Sequence, residues 1–390
     1  MAAAFPRTHD DRVIIPPAML GMLGGGQLGR FFTIAAREMG YRVTVLDPDP
    51  HSPAGRVADR HVVAAYDDPD ALNDIAASCA AVSTEFENVP ADALAYLSKF
   101  IPVRPSAECV AIAQNRISEK TFLSENGFPV GACVVIRGDE DIEAAEPALF
   151  PCVLKVSRFG YDGKGQTRVR TVAEAKAAFR GFGCEPCVME RLLSLDCEVS
   201  VVLARGADGE ATAFPVVENS HRHGILDVSI APARITSGLR TEAEEMAIGL
   251  AAEMNYVGVM GVEFFVTDGR LLINEIAPRP HNSGHYTLDA CVVSQFEQQV
   301  RVLTGLPLGD AWQPSAAAMV NLLGELWDGG EPDWNMLLRE PRLKLHLYGK
   351  HHARPGRKMG HFTVIDHDAA SAVDTALAAR RRIGISDDGA

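Results

Sequence analysis

Several features that mark particular classes of protein are missing from this sequence. No run approaches the roughly 20 consecutive apolar residues of a membrane helix, and residues 1–17 hold no continuous apolar segment of a signal peptide. The eight cysteines include one CxxC pair, "CEPC", without the second pair or the histidines that would complete a zinc site. Basic residues are scarce, and the formal net charge of −14 argues against a nucleic-acid partner. We therefore expect a cytoplasmic protein with reduced cysteines and no membrane partner.

The 390 residues have an ordinary globular composition, 47% hydrophobic and 23% charged, which suits two or three domains. Apolar strands first alternate with helices, as in a parallel sheet with helices on both faces. Strands suited to antiparallel pairing follow, so the fold class is α/β followed by α+β. We predict a disordered lead-in over 1–17, a Rossmann-like domain over 18–114, a second domain over 115–304 with a small subdomain at about 130–205, and a C-terminal domain over 305–390.

The stretch "GMLGGGQLGR" has the Gly24-x-Gly26-x-x-Gly29 spacing of a dinucleotide-binding turn. Glycines at this spacing let the backbone approach an anion at the start of a helix. Asp47 ends the next predicted strand, where NAD enzymes place an acid that binds ribose. The sequence offers no obvious site for hydride transfer. A tight turn without any cofactor explains the same glycines, and both alternatives stay open at this point.

Two predicted apolar strands, "GVEFFV" and "LLINEIAPRP", each carry one acid, Glu263 and Glu275. Buried carboxylates are costly unless they are paired or bind a metal, and two on neighbouring strands indicate a shared Mg²⁺. A two-residue turn between the strands would put the acids on opposite faces. We therefore predict a three-residue loop, 267–269, that pairs Val266 with Arg270 and puts both acids on one face. The alternative is two edge-strand acids that face water.

The segment "LKVSRFGYDGKGQ" places Lys155 at the end of a strand and follows it with a glycine-rich loop. Backbone N–H groups in such a loop bind phosphates, and a lysine supplies positive charge. The GxxxxGK[ST] spacing of a P-loop is absent, and a flexible hairpin tip is an equal alternative. Glu190 and Glu198 suit hydrogen bonds to an adenine and a ribose, although each alone is more often a surface acid.

Together these features resemble the ATP-grasp superfamily, and within it the 5-(carboxyamino)imidazole ribonucleotide synthetases, the PurK family. The similarity covers about 19–366 and is carried, in order, by "GGGQLGR", "TEFENVP", "GYDGKGQ", "VGVMGVEFFV", "NEIAPRPHNSGHYT" and "RPGRKMGH". It implies an ATP-grasp fold with an N-terminal Rossmann-like (pre-ATP-grasp) domain. It also implies a ligase that uses ATP, Mg²⁺ and bicarbonate to carboxylate aminoimidazole ribonucleotide, through carboxyphosphate, in purine (IMP) biosynthesis.

The resemblance further implies roles for individual residues. Glu263 and Glu275 would hold the metal. The residues expected to bind ATP are Arg116, Lys155, Gly160, Tyr161, Asp162, Gly163, Lys164, Gly165, Gln166, Glu190, Leu193, Glu198, His221, Asn274 and Glu275. The residues expected to bind bicarbonate and the ribonucleotide are Gln27, Tyr161, Asp162, Lys164, Arg279, His281, Asn282, Ser283, Lys350 and Arg357. The residues expected to be catalytic are Lys155, Arg279, His281 and Asn282.

Some of these expected roles can be stated more closely. Lys155 and Mg²⁺ would offset charge on the transferring phosphoryl group, and Arg279 would grip carboxyphosphate. His281 either shuttles a proton or only orients its neighbours. Position 164 is arginine in some relatives, and Lys164 keeps the charge but loses the bidentate fork. Closure of the "GYDGKGQ" loop would exclude water from the reactive intermediate.

The basic segment "GKHHARPGRKMGH" suffices for one ribose 5′-phosphate, with Lys350 and Arg357 as its binding residues and Arg354 and Lys358 left as solvated charges. The "HRH" and "HH" pairs have no third ligand at a suitable spacing, so we reject a transition-metal site there. The resemblance implies a homodimer whose product passes to a separate mutase.

Three other functions remain as alternatives to this one. Another ATP-grasp ligase, such as a formate-dependent glycinamide ribonucleotide transformylase, is the nearest. An NAD-dependent dehydrogenase would explain the glycine turn alone. A catalytically inert nucleotide-binding regulator would bind ATP without turnover. Release of ADP that requires both bicarbonate and aminoimidazole ribonucleotide distinguishes the synthetase from all three.

Overall fold

The computed structural model of the chain describes residues 13–158 and 165–385. The strands within these ranges are β1 (Met19–Leu23), β2 (Arg42–Leu46), β3 (Arg60–Val62), β4 (Ala81–Thr84), β5 (Cys133–Ile136), β6 (Cys152–Val156), β7 (Gln166–Val169), β8 (Cys187–Arg191), β9 (Cys197–Arg205), β10 (Ala211–Ala213), β11 (Val217–Arg222), β12 (Ile225–Ala231), β13 (Gly258–Thr267), β14 (Arg270–Ala277), β15 (Ala316–Leu323), β16 (Leu343–Leu347) and β17 (Lys358–Asp366).

The helices are α1 (Gln27–Glu38), α2 (Pro69–Ser78), α3 (Ala91–Leu97), α4 (Ala107–Ala113), α5 (Arg116–Glu125), α6 (Asp139–Ala144), α7 (Val172–Gly181), α8 (Ser237–Glu253), α9 (Thr287–Ala290), α10 (Gln295–Thr304), α11 (Trp334–Leu338) and α12 (Ala369–Arg382). A short 3₁₀ helix, Asn282–Tyr286, leads into α9. In the described part of the chain, each helix is too short or too polar to cross a membrane.

The N-terminal sheet is parallel, with strand order β3-β2-β1-β4. The glycine turn follows β1 and leads directly into α1. The predicted stop of this helix is present as well, because Gly40 takes a left-handed φ of 87° just beyond its end. The N-terminal α/β architecture expected from the sequence is thus confirmed.

A small antiparallel sheet of order β5-β8-β6-β7 follows, and α6 and α7 pack against it over a core that includes Leu154 and Phe179. It carries Lys155 on β6 and Glu190 on β8. The predicted subdomain at 130–205 extends beyond this sheet. Strand β9 pairs along its whole length with β13 and belongs to the next sheet.

The third sheet has nine strands, in the order β14-β13-β9-β11-β12-β15-β17-β16, with β10 paired to β9. Helix α8 covers the first strands over a core that includes Val201, Leu250 and Met260. Helix α12 covers the last strands over Val320 and Phe362. Because β12 pairs with β15, the C-terminal strands continue the same sheet that carries the acidic hairpin. One scaffold therefore holds both the predicted metal ligands and the C-terminal strands that flank the basic segment.

Candidate active site

The turn of the β13–β14 hairpin differs from the prediction. Asp268 and Gly269 form a two-residue turn with left-handed φ values of 50° and 67°, and Thr267 pairs with Arg270. The predicted three-residue loop is therefore wrong. The Asp-Gly dipeptide adopts the two-residue turn that best matches the twist of a hairpin. With this turn and a regular ladder, the two acids would face opposite ways.

A β-bulge farther along the hairpin reverses which face of the sheet the second acid projects from. Phe264 still pairs with Ile273, but Glu263 pairs with Glu275, so Asn274 is an extra residue in β14. Directly paired residues in an antiparallel ladder project from the same face. Both acids therefore share one face, as predicted, because of a bulge that the sequence analysis did not anticipate.

Glu263 is held by two neighbours within this face. Its Oε1 is 3.1 Å from His281 Nε2, and Asn274 Nδ2 donates to its Oε2 at 3.5 Å. Burial raises the pKa of Glu263, but the hydrogen bond from His281 and nearby positive charge outweigh it, so the pKa lies well below its usual range. The partner acid Glu275 is more open, with 43% of its side chain exposed. Glu263 is therefore a carboxylate at neutral pH.

A cluster of buried charges lies beside Glu275. Asn115 caps α5 with its side chain, which places Arg116 in the first turn. Arg116 Nη2 donates to Glu275 Oε2 at 3.2 Å, and its Nη1 is 3.9 Å from Glu190 Oε1. Lys155 Nζ donates to Glu190 Oε2 at 2.9 Å. Burial raises the pKa of Glu190, but the cations, Lys155 first, outweigh it and hold the pKa below its usual value. The contacts connect the small sheet, α5 and the hairpin.

Three buried polar atoms of this site have no hydrogen-bond partner among the described residues: Arg116 Nη1, Glu190 Oε1 and Asn274 Oδ1. Each such atom costs about 1–3 kcal/mol, so their grouping next to two carboxylates is an expensive arrangement. A phosphate oxygen would satisfy the guanidinium, and a hard cation would take the amide oxygen together with the carboxylates. The residues therefore fit a polyphosphate and Mg²⁺.

Two further residues of α5, not predicted from the sequence, belong to this cluster. Lys120 Nζ donates to Asn274 O at 2.8 Å and is 3.9 Å from Glu190 Oε2. Glu119 accepts the N–H of Ile276 at 2.5 Å, and burial raises its pKa to about 7. Lys120 lies four residues after Arg116, on the same helix face, and this spacing is the signal that would have found it.

Arg279 forms a two-bond ion pair with Glu87 of the N-terminal domain. Its Nε and Nη2 donate to the two carboxylate oxygens at 2.5 and 3.3 Å. Burial lowers the pKa of Arg279, but Glu87 outweighs it and raises the pKa above its usual value. Glu87 lies in the motif "TEFENVP", yet the sequence analysis gave it no role. The planar fork expected to grip carboxyphosphate is thus oriented by an acid of the chain itself.

The residues after Arg279 divide between the site and the core. His281 contacts Glu263, as described. The amide of Asn282 exchanges hydrogen bonds with Asn321 at 2.7 and 3.2 Å and is buried. Ser283 is fully buried behind the imidazole, with its Oγ 2.8 Å from His281 Nδ1. The expectation that Ser283 lines the substrate site is therefore corrected, because it has no exposed surface and reaches the site through His281.

Glu198 and His221 lie on neighbouring strands, with Oε2 and Nδ1 3.1 Å apart. Burial lowers the pKa of His221, but Glu198 outweighs it and raises the pKa.

Leu193 is half-buried in the segment after β8, and Gln166 pairs with Lys155 at the start of β7.

The glycine-rich loop of the prediction is described only at its end. There Gly165 has a φ of 70° and accepts the N–H of Val156 at 2.8 Å. The predicted residues Gly160, Tyr161, Asp162, Gly163 and Lys164 lie outside the described residues.

The glycine turn near the N-terminus is filled by the chain's own carboxylates. Gly26 and Gly29 donate their N–H groups to the two oxygens of Glu85 at 2.8 and 2.6 Å, and Gly25 donates to Asp47 at 2.7 Å. A Cβ at Gly24, Gly26 or Gly29 would collide with the Glu85 side chain. Burial raises the pKa of Glu85 to about 7. Glycine is required at this spacing because a carboxylate lies against the backbone.

This arrangement favours the tight turn over the dinucleotide site, the two alternatives left open by the sequence. Asp47, which lies where NAD enzymes place a ribose-binding acid, also accepts the Tyr66 hydroxyl at 2.6 Å and is buried. The N–H groups of Gly25, Gly26 and Gly29, which could approach an anion, are already bonded within the chain. What the turn offers outward is Gln27, whose Oε1 accepts a hydrogen bond from Lys350 Nζ.

Lys350 and Arg357 lie in one basic cavity next to Gln27. Its volume is about 200 Å³, and its lining is Asp49, His51, Pro53, Lys350, His351, His352 and Arg357. Lys350 Nζ also donates to Lys358 O at 2.6 Å. The structure thus brings together the residues predicted to bind a ribose 5′-phosphate, from opposite ends of the chain.

Comparison with known proteins shows which family the chain resembles. Three family models match successive segments: the ribonucleotide synthetase preATP-grasp domain (18–114), the ATP-grasp domain (121–296) and the phosphoribosylaminoimidazole carboxylase C-terminal domain (317–375). The chain is 42% identical to the N5-carboxyaminoimidazole ribonucleotide synthase of Bacillus subtilis over 354 residues, 90% of this chain and 92% of that protein. It belongs to the N5-carboxyaminoimidazole ribonucleotide synthase family.

Solved structures of N5-carboxyaminoimidazole ribonucleotide synthases have the same fold. An ADP complex has a TM-score of 0.90 and 41% identity, over 95% of this chain and 98% of that one. The Aspergillus clavatus synthase with ADP and 5-aminoimidazole ribonucleotide has a TM-score of 0.86 and 29% identity, over 94% and 98%. As a family member, this chain is an ATP-grasp ligase that carboxylates aminoimidazole ribonucleotide at the expense of ATP, in purine biosynthesis.

Proposed function

We propose that the chain phosphorylates bicarbonate with ATP and then carboxylates the exocyclic amine of aminoimidazole ribonucleotide. Bicarbonate is a poor electrophile, and carboxyphosphate formation converts its oxygen into a leaving group. Carboxyphosphate breaks down to CO₂ and phosphate within the closed site, and the amine attacks the CO₂. The observation that supports this most directly is the facing pair Glu263 and Glu275 beside the unpartnered atoms of Arg116 and Glu190.

Glu263, Glu275 and the side-chain oxygen Oδ1 of Asn274 would hold Mg²⁺, which when bound would neutralise charge on the β- and γ-phosphates. Lys155 and Arg116 supply positive charge from the small sheet and from α5. Such pre-positioned charge acts more strongly in a buried site than in water. Lys155 is only 12% exposed, so its charge is little screened.

The remainder of the ATP site combines described residues with predicted ones. Glu190, Leu193, Glu198 and His221 lie along the end of β8 and across β9 and β11. Gly165 and Gln166 end the glycine-rich loop. We keep Gly160, Tyr161, Asp162, Gly163 and Lys164 as predicted phosphate-loop residues that exclude water from the intermediate.

The ribonucleotide would lie between the basic cavity and the hairpin. Lys350, Arg357 and Gln27 would bind its 5′-phosphate and ribose. Arg279, oriented by Glu87 through Nε and Nη2, would bind carboxyphosphate through the remaining N–H groups of Nη1 and Nη2. His281 and Asn282 complete this wall of the site.

We also propose the wider setting implied by the family resemblance. The domains would divide as 18–114, 115–304 and 305–390, with the small β5–β8 sheet as the lid of the second domain. The enzyme would act in the cytoplasm as a homodimer and pass its product to a separate mutase.

A coupled assay for ADP release tests the proposal. With ATP, Mg²⁺ and bicarbonate, release should require aminoimidazole ribonucleotide and should collapse in Glu275→Gln. The control is Glu253→Gln, an exposed acid at the end of α8, which should leave the rate unchanged. Release supported by formate and glycinamide ribonucleotide, or a wild-type rate in Glu275→Gln, would contradict the proposal.

A further inference from the structure

A buried set of polar side chains crosses the nine-stranded sheet behind the site. Ser229 on β12 donates to Asn219 Oδ1 at 2.9 Å, and Asn219 Nδ2 donates to Ser200 Oγ at 2.8 Å. Ser200 and Ser283 bond hydroxyl to hydroxyl at 2.7 Å. None of these four side chains belongs to the proposed ATP site, and each is at most 7% exposed. We name them the serine–asparagine relay.

The relay ends on the imidazole that contacts a proposed metal ligand. Ser283 Oγ is 2.8 Å from His281 Nδ1, and His281 Nε2 is 3.1 Å from Glu263 Oε1. The register places Ser200 directly opposite Glu263 across β9 and β13. The relay and the carboxylate therefore belong to the same face of the sheet.

One link has a direction that no hydroxyl rotation can change. The backbone N–H of Ser283 donates to His281 Nδ1 at 3.4 Å, and a backbone N–H can only donate. Nδ1 therefore carries a lone pair, and the Ser283 hydroxyl must donate to it as well. Ser283 then accepts from Ser200, which accepts from Asn219. Every donor in the relay thus points toward the imidazole.

This direction decides which nitrogen of His281 carries the proton. If Nδ1 is an acceptor, the neutral ring is protonated at Nε2, the atom that faces Glu263. Gln295 fixes the backbone of His281, because its side chain accepts from His281 N and donates to His281 O, both at 2.8 Å. The imidazole is therefore held in place and in one protonation pattern.

We infer that Ser200, Asn219 and Ser283 are positioning residues that fix His281 as the Nε2–H tautomer, a hydrogen-bond donor to Glu263. His281 then orients the Glu263 carboxylate and has no free lone pair with which to take a proton from a substrate. The tautomer follows from the chain's own hydrogen bonds. Only the consequence for the metal rests on the proposed function, through the role given there to Glu263.

The tautomer is tested by NMR on the full-length enzyme without substrates or metal, with ¹⁵N-labelled histidine. The ring signals of His281 are assigned by their loss in His281→Asn. We expect Nε2 protonated and Nδ1 unprotonated in the wild type. Ser283→Ala keeps the backbone N–H but loses the hydroxyl donor, so we expect the same tautomer with the Nδ1 resonance shifted by the weaker hydrogen bonding. A wild-type ring protonated at Nδ1, or an Nδ1 resonance that does not move in Ser283→Ala, would overturn the inference.

Kinetics separate positioning from a general loss of structure. Substitution of a residue that hydrogen-bonds to a metal ligand typically lowers metal affinity or activity about 10- to 100-fold. We expect Ser283→Ala and Ser200→Ala to raise the Mg²⁺ concentration for half-maximal rate by about tenfold, with the KM for ATP within twofold of wild type. Ser200→Thr, which keeps the hydroxyl, should restore the Mg²⁺ response. Equal rises in both values, without rescue by Ser200→Thr, would show a merely structural role.

The two proposals can fail separately. If the NMR pattern is as expected and the Mg²⁺ response of the relay variants does not move, the tautomer stands and the assignment of Glu263 to the metal fails. If Glu263→Gln abolishes the Mg²⁺ response while His281 is protonated at Nδ1, the metal site stands and the relay is overturned.

Discussion

The glycine turn and the β13–β14 hairpin are both places where acidic side chains meet tightly shaped backbone, but they differ in what is left unbonded. At the turn, both oxygens of Glu85 accept backbone N–H groups, and Asp47 accepts two donors through one oxygen. At the hairpin, buried atoms of Arg116, Glu190 and Asn274 have no partner among the described residues.

The difference teaches how to tell a structural motif from a binding site. A phosphate-binding spacing of glycines implies that backbone N–H donors are available to a ligand. At this turn those N–H groups are bonded to Glu85 and Asp47 instead. The hairpin, together with Arg116 of α5 and Glu190 of β8 beside it, holds the unsatisfied groups that a ligand would complete. Four predictions set one region against the other.

The largest effect is expected at the hairpin. Glu263→Gln keeps the shape of the side chain but removes a charge from the proposed metal site. We expect kcat to fall at least about 100-fold, the scale of losing an essential electrostatic group. Steady-state ADP release measures the change. A rate within threefold of wild type would contradict the metal assignment.

The next effect concerns the fork of Arg279. Arg279→Lys keeps the charge but cannot form two parallel bonds with Glu87. We expect kcat/KM for bicarbonate to fall about 10- to 100-fold, since a bidentate charged pair contributes about twice a neutral bond. Arg234→Lys is the control, because Arg234 binds Glu218 through two nitrogens at an exposed position. Equal losses in both variants would contradict a specific role for Arg279.

At the glycine turn, the expected effect is on stability. Gly26→Ala places a Cβ against the Glu85 carboxylate, and overpacking of this kind costs about 1–3 kcal/mol. Gly249→Ala in the middle of α8 meets no atom within 4 Å and should gain about 0.5–1 kcal/mol. Urea unfolding measures both. A neutral Gly26→Ala would show that the turn does not need glycine.

The smallest effect is a pH dependence. Burial raises the pKa of Glu85 from 4.5 to about 7, so the folded chain holds this proton more tightly than the unfolded chain. The stabilising contribution is complete below pH 4.5 and is lost as pH rises toward 7. Glu85→Gln cannot titrate, so the difference in unfolding free energy between the variant and the wild type should change across this interval. A constant difference would contradict the raised pKa.

Local patterns predicted the elements well, because glycine stops, caps and strand alternation act over a few residues. The strand, turn and helix of 19–38 and the hairpin strands agree with the structure. The predicted hairpin turn does not agree with the structure. We predicted a three-residue loop because it would place both acids on one face, whereas the Asp268-Gly269 dipeptide strongly favours a two-residue turn. A bulge at Asn274, whose backbone oxygen accepts from Lys120, puts the two acids back on one face. No local pattern in the sequence marks this bulge.

The contacts that site residues make with distant parts of the chain could not be predicted from the sequence either. Glu85, Glu87 and the relay residue Ser200 lie far along the chain from the groups they contact. Their pairing depends on how sheets pack, and spacing within one segment does not contain that information. Lys120 is the exception, because its position four residues after Arg116 was visible in the sequence.

The central claim is that the nucleotide binds at the hairpin and not at the glycine turn. Calorimetric titration of a non-hydrolysable ATP analogue with Mg²⁺ tests it on two variants, Lys155→Met and Glu85→Gln. We expect Kd to rise at least about tenfold in Lys155→Met, since a bond to a charged group contributes about 1.5–3 kcal/mol, and to stay within twofold of wild type in Glu85→Gln. Weakened binding in Glu85→Gln with unchanged binding in Lys155→Met would contradict the claim.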